Sequence, residues 1–235
     1  QLRQSRRLLI PLLSNTDAVA REAVAALIAR VFNNDFAELV AEINRDIPNH
    51  LVLGLLSALG RIGNPETAHV FHSFMRHQDS QLRTTSAYWA VRQGLMAKKE
   101  LIDYLGDPQE TVRMAVVRGL GQQLDSESIG YLAGLIEDPS RQVRKELAAA
   151  LGQAKLSDDA RPRQLLEKLI HDPQLDVRTQ ALISLFHLGA DTFAQMAVEA
   201  IKELPQHDRD DLDKNLDKQG VVLDLIGILK SDRAP

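Results

Sequence analysis

The chain has 235 residues, a formal net charge of -4 and no cysteine. The acidic balance argues against a general nucleic-acid binder, which carries a basic excess to offset phosphate. The lack of cysteine excludes a disulfide framework and a thiolate metal site, and no run of 18 apolar residues is present to span a membrane. Aromatic residues make up only 4%, so Ala and Leu supply most of the apolar surface, a mix that suits helices packed through small side chains.

The chain opens Gln1-Leu2-Arg3-Gln4, with neither an initiator Met nor the apolar core of a signal peptide. A piece of a longer protein with an attached domain is expected from this, and a cytoplasmic location is favoured. From there the sequence repeats itself. The clearest units are Asp107-Pro108-Gln109-Glu110-Thr111-Val112-Arg113, Asp138-Pro139-Ser140-Arg141-Gln142-Val143-Arg144 and Asp172-Pro173-Gln174-Leu175-Asp176-Val177-Arg178. Each reads D-P-x-x-x-V-R. Weaker copies lie upstream: Asn15 to Arg21, Asp46 to Val52, and Asp79 to Arg83. The anchors are therefore residues 21, 52, 83, 113, 144 and 178, with steps of 31, 31, 30, 31 and 34. Such regular internal spacing marks a repeat architecture.

Two apolar registers give each repeat its helices. Twelve residues before the anchors stand Leu9, Val40, Phe71, Leu101, Leu132 and Leu166. Eight before them stand Leu13, Met75, Leu105, Ile136 and Ile170, with Asn44 the exception. A spacing of four puts these pairs on one face of a first helix, A. Residues three, four and seven after each anchor share the inward face of a second helix, B. Asp-Pro ends helix A, because the residue before proline avoids the α region, and Pro suits the start of the next helix. Gly60, Gly121 and Gly152, near the end of helix B, are expected to supply a positive φ. Residues 191–235 lose the pattern and are read as a degenerate repeat with a final amphipathic helix, a cap to the repeats of residues 1–190.

The D-P-x-x-x-V-R pattern at about 31 residues resembles HEAT and HEAT-like repeats, including the short kind of the phycobilin lyases. The resemblance implies an all-α, right-handed α-solenoid of about six two-helix repeats, with the B helices on the concave side. It also implies a structural ladder between neighbouring repeats, built from Asp107, Asp138 and Asp172 and from Arg21, Arg83, Arg113, Arg144 and Arg178. Val52 stands where the second repeat should have its Arg, so the ladder is expected to break there.

On the outward side of the B helices, the position nine after the anchor reads Arg30, Arg61 and Arg92 in the first three repeats. With Arg118 and Tyr88 beside them, these form a candidate stripe for an acidic or phosphorylated peptide, since the Arg fork suits carboxylate and phosphate. The alternative is a solvated face on which the arginines serve solubility alone. The position two after the anchor is small in the first four repeats, which would leave a groove floor open. The single Trp89 is expected to plug the space between repeats rather than to anchor a partner.

No catalytic, cofactor-binding or metal-ligating constellation is identified. Nucleotide-binding, zinc-protease and hydrolase motifs are missing. Glu66, His69 and His72 rotate off a common helix face, and the calcium-loop-like start at Asp211 lacks its Gly and final Glu. The function expected is a non-enzymatic protein-interaction scaffold or regulatory module without cofactor, gripping a protein or peptide on the B helices. The alternatives are a chromophore-attaching, phycobilin-lyase-like protein and an alkylpurine DNA glycosylase-like enzyme, both by resemblance.

Overall fold

The computed structural model describes residues 8–15, 17–32, 35–122, 124–154 and 159–189. The C-terminal cap expected at 191–235, with its calcium-loop-like stretch, lies outside them. Among the described residues every regular element is helical. The α-helices are α1 Ala18–Val31, α2 Phe36–Ile43, α3 Asn49–Ile62, α4 Ala68–Phe74, α5 Ser80–Arg92 and α6 Lys98–Ile102. They continue as α7 Glu110–Gln122, α8 Ser126–Leu132, α9 Arg141–Leu151, α10 Arg161–Leu169 and α11 Leu175–His187. Short 3-10 turns at Ile10–Ser14, Pro65–Thr67 and Ala133–Glu137 complete them. The chain divides into two compact units, residues 1–119 and 120–235, with the boundary inside α7.

The order alternates short A helices (α2, α4, α6, α8, α10) with longer B helices (α1, α3, α5, α7, α9, α11), as the repeat predicts. The first repeat departs from this, since its A element is the 3-10 turn Ile10–Ser14. Within each unit successive B helices pack on one another: α1 on α3 and α3 on α5 in the first, α9 on α11 in the second. The inward register is met. Leu55, Leu56 and Leu59 of α3, and Ala181, Leu182 and Leu185 of α11, are fully buried.

Local chemistry sets the B-helix starts. Asp17 accepts the Val19 amide at 3.0 Å, Asp79 that of Gln81 at 2.8 Å, and the Ser140 hydroxyl that of Gln142 at 3.2 Å. Each satisfies an orphan donor of the first turn. The positive-φ glycines are Gly63, Gly94 and Gly189, so the role expected for Gly60, Gly121 and Gly152 is corrected. These three stand eight residues after their anchors and permit close approach instead. A Cβ on Gly60 would meet Trp89, one on Gly121 would meet Ala150, and one on Gly152 would meet Ser184. Each partner stands six after the next anchor. Gly119 and Val91 make the same pair with the sizes reversed.

The Arg side chains of the repeat act first within their own turn. Arg21, Arg83, Arg113, Arg144 and Arg178 each donate from Nη1 to the carbonyl oxygen six residues earlier. The distances are 2.9 Å to Asn15, 2.9 Å to His77, 2.7 Å to Asp107, 2.6 Å to Asp138 and 2.8 Å to Asp172. Arg83 and Arg144 also reach forward as ladder rungs. Arg83 Nε lies 3.1 Å from Asp107 Oδ2, and Arg144 grips both carboxylate oxygens of Asp172 at 2.6 and 3.0 Å. The bond to Asp172 raises the Arg144 guanidinium pKa against the opposing pull of burial. The turn aspartates bond locally too: Asp107, Asp138 and Asp172 each accept the amide two residues on, at 2.8 Å.

The rung after Val52 is replaced rather than lost. Val52 is buried and offers no charge, and the position opposite it holds His77 in place of Asp. Instead Asn49 donates to Asp79 Oδ2 at 2.7 Å, while His77 Nδ1 accepts the Asp79 amide at 3.0 Å, as a turn aspartate would. Donor and acceptor have shifted together by a few residues, and a neutral amide now serves where the guanidinium would stand.

Candidate functional site

A groove of about 530 Å³ crosses the starts of the four B helices in the first unit. Its walls are polar but carry little charge. Helix α5 contributes Ser80, Gln81, Thr84 and Thr85, α3 contributes Gly54 and Ser57, and Thr111 stands at its far side. Gly54 and Thr85 are two of the small residues expected at the groove floor, and Gly54 has a further reason to be small. A Cβ there would fall 2.7 Å from Leu13 Cδ2. Thr84 and Thr111 join their hydroxyls at 2.7 Å across neighbouring repeats.

The two charged groups at the groove, Arg21 and Glu22, are engaged. Arg21 holds the Asn15 carbonyl, and Glu22 accepts Nε of Arg61 at 3.0 Å and, closer still, its Nη2. The starts of α1 and α5 are occupied as well, since Asp17 and Asp79 accept first-turn amides, and Asp107 accepts the Gln109 amide just before α7. These carboxylates offset the positive ends of the α1, α5 and α7 dipoles. Burial pulls the Asp79 carboxyl upward. The bonds from Asn49 and from the Gln81 and Leu82 amides, with His77 nearby, outweigh it and hold its pKa below the ordinary value.

The candidate stripe lies toward the other end of the same helices. Arg30, Arg61, Arg92 and Arg118 are all exposed, as the register predicts. They are not a uniform row of cations. Arg61 is partly neutralised by Glu22 and lies 5.5 Å from the Trp89 ring centroid. Arg92 stacks 5.9 Å from the same ring and 5.8 Å from Tyr88, and donates to the Tyr88 hydroxyl at 2.9 Å. Tyr88 and Trp89 meet edge to face at 5.1 Å. Trp89 itself is 6% exposed and seated on Gly60, so it is a plug between repeats, roofed by two guanidinium groups.

Sequence reasoning missed the hydroxyl walls, because single Ser and Thr residues on a helix carry no signal. It also missed Glu22 as the partner of Arg61, which is 39 residues away and follows no repeat spacing. The weak metal triad does not converge. His69 Nδ1 turns to the Glu66 carbonyl at 2.8 Å, while His72 faces Glu100 at 3.8 Å. Among the described residues, no group of three or more His, Asp or Glu side chains could hold a metal ion, and no helix is long and apolar enough to cross a membrane.

Comparisons with known proteins agree with this geometry. The family model of HEAT repeats matches residues 98–186. Among curated proteins no match is found. The solved structure of YibA from E. coli is similar with a TM-score of 0.59 at 17% identity, over 92% of this chain and 82% of that one. The complex of CpcE and CpcF of phycocyanin lyase from Nostoc sp. PCC7120 is similar at 0.50 and 20%, over 96% and 94%. An engineered protein is similar at 0.52 and 15%, over 94% and 70%. At such identities the likeness is one of fold. With the repeat spacing, the helix pairs and the family match in agreement, the chain is an all-α solenoid of the HEAT and armadillo kind, with HEAT repeats matched over residues 98–186.

Proposed function

We propose that this chain is a non-enzymatic interaction module that holds an extended segment of a partner protein across the B helices of its first unit. The observation that carries the reading is the groove over the starts of α1, α3, α5 and α7. Neighbouring helix axes lie about 8–10 Å apart. A chain extended at about 3.3 Å per residue would therefore place every third residue over a new helix. Ser57, Thr85 and Gln81 offer donors and acceptors to such a backbone without imposing a charge. Beyond the groove, Arg92 and Arg30 would favour acidic or phosphorylated residues of the same partner, whereas Arg61 is already engaged by Glu22. HEAT-repeat domains typically mediate protein interactions, and the likeness to the phycocyanin lyase complex supports the reading through fold alone.

The test is site-directed photo-crosslinking in extract of the source cell. A benzophenone side chain at Gln81, which lines the groove, should give a discrete adduct that one at exposed Glu137 does not. Thr85→Arg, which fills the groove, should abolish it. Identical adducts from both sites, or an adduct indifferent to Thr85→Arg, would overturn the reading.

A further inference from the structure

The first repeat presents the face that every later repeat uses to pack on its predecessor. The position six after the anchor shows this most directly. Ala58, Trp89, Gly119, Ala150 and Ser184 are buried there, whereas Leu27 is 46% exposed. The position nine before the anchor repeats the contrast. Ile43, Tyr104, Leu135 and Leu169 are buried and Phe74 is half-buried, yet Leu12 is 53% exposed. Leu8, 72% exposed, stands thirteen before its anchor, the position at which Leu39, Val70 and Leu165 are buried.

The polar part of a repeat junction is present as well. At the start of α5, His77 accepts the Asp79 amide, Asp79 Oδ1 caps the helix, and Oδ2 takes Asn49 from the preceding repeat. At the start of α1 the arrangement recurs. Asn15 Oδ1 accepts the Asp17 amide at 2.9 Å, and Asp17 Oδ1 caps the helix through Val19. The Oδ2 atom of Asp17 has no partner among the described residues. Apolar knobs and rung acceptor thus stand in the register of an established interface, with one side of it supplied.

We infer that the face formed by Leu8, Leu12, Leu27 and Asp17 is a docking site for a further HEAT-type repeat, distinct from the groove. The incoming unit is specified by the pairing within this chain. Its B helix must carry a small residue eight after its anchor, to receive Leu27 as Gly60 receives Trp89. It must also carry an amide or guanidinium donor near that helix's start, to reach Asp17 as Asn49 reaches Asp79.

The second repeat of this protein meets both conditions, so it is the probe. A second copy of residues 36–64, fused directly ahead of Gln1, puts its Val52 33 residues before Arg21, within the repeat steps of 30 to 34, and should fold onto the first repeat and raise the thermal midpoint by several degrees. Gly60→Leu within the added copy should remove the gain, and so should Asp17→Asn, which replaces the Oδ2 acceptor, with Leu27→Asp on the receiving face. Asn at position 17 keeps the Oδ1 that caps α1, and Leu27 is 46% exposed, so the unfused double variant should fold with a midpoint close to the parent's. No gain on fusion, or a gain indifferent to these substitutions, overturns the inference. A chain that is dimeric without the added repeat, and made monomeric by Leu27→Asp, also overturns it, because a second copy is then the occupant.

Discussion

The Trp89 indole fills the space that a side chain on Gly60 would occupy: a Cβ there would fall 2.2 Å from the ring atoms Cγ and Cδ2. The pair belongs to a series. Neighbouring B helices meet through residues eight after one anchor and six after the next, and Gly119 takes the small role beneath Val91. What recurs is the summed volume of the pair rather than either residue, because close-packed interiors accept little extra bulk.

Gly60→Ala is therefore expected to destabilise the protein, although alanine favours a helix. The propensity gain is about 1 kcal/mol, against about 1–3 kcal/mol for overpacking. Trp89→Ala should cost about 3–5 kcal/mol through the cavity it leaves. In the Trp89→Ala background, Gly60→Ala should become neutral or stabilising. Urea unfolding of the four proteins measures the coupling, and additive effects would refute the pairing.

The ladder should show a graded cost. Arg144 and Asp172 form the more enclosed rung, with side chains 11% and 4% exposed. Removing one partner of a buried ion pair costs about 3–5 kcal/mol, because the other charge is left uncompensated. Asn49→Ala removes a hydrogen bond to an accessible carboxylate, for which about 1–2 kcal/mol is expected. Chemical denaturation should give Arg144→Ala the larger loss. An equal loss at Asn49 would show that the substituted rung carries as much as the ion pair.

Asp79 adds an acid-side dependence. Its carboxyl is held below the ordinary value of 3.8 that it regains on unfolding. A depressed native pKa gives stability that is present above the unfolded value and is lost as pH falls through the native one. The contribution of Asp79 should hence persist to about pH 4 and fade below it. Asn49→Ala removes a bond to the charged form, so the Asp79 pKa should rise toward its ordinary value. Carboxyl chemical shifts followed through an acid titration check both statements.

These examples show what the sequence could express. Anchor arginines are legible because each performs the same task on the carbonyl six residues back, and repetition makes the task visible. The Asn49–Asp79 rung is not, because both partners moved off their register at once and a different chemistry took over. Gly60 stood out in the sequence for its place near a helix end, yet what requires it is a side chain 29 residues later. The groove was half legible. Its small floor positions follow the period, while its hydroxyl walls and the Glu22–Arg61 contact arise from tertiary packing alone.

That contact makes the acidic preference of the B-helix face adjustable. Glu22 occupies the fork of Arg61, with side chains 45% and 35% exposed, so the pair itself is worth little to stability, about 0–1 kcal/mol. Its larger effect is on what Arg61 can offer a partner. Glu22→Gln removes the competing charge and leaves Arg61 beside Arg92 over the Trp89 ring. Binding of a ten-residue poly-glutamate probe, weak in the parent chain, should strengthen by several-fold at low salt and fall as salt is added, since exposed charges are screened over about 8–10 Å at physiological ionic strength. Arg92→Gln in the same background should reverse the gain, because Arg61 then loses the neighbouring fork over the Trp89 ring. Fluorescence of Trp89, which lies against both guanidinium groups, reports the titration directly. Equal affinity in the parent and Glu22→Gln proteins would mean that the stripe serves solubility alone.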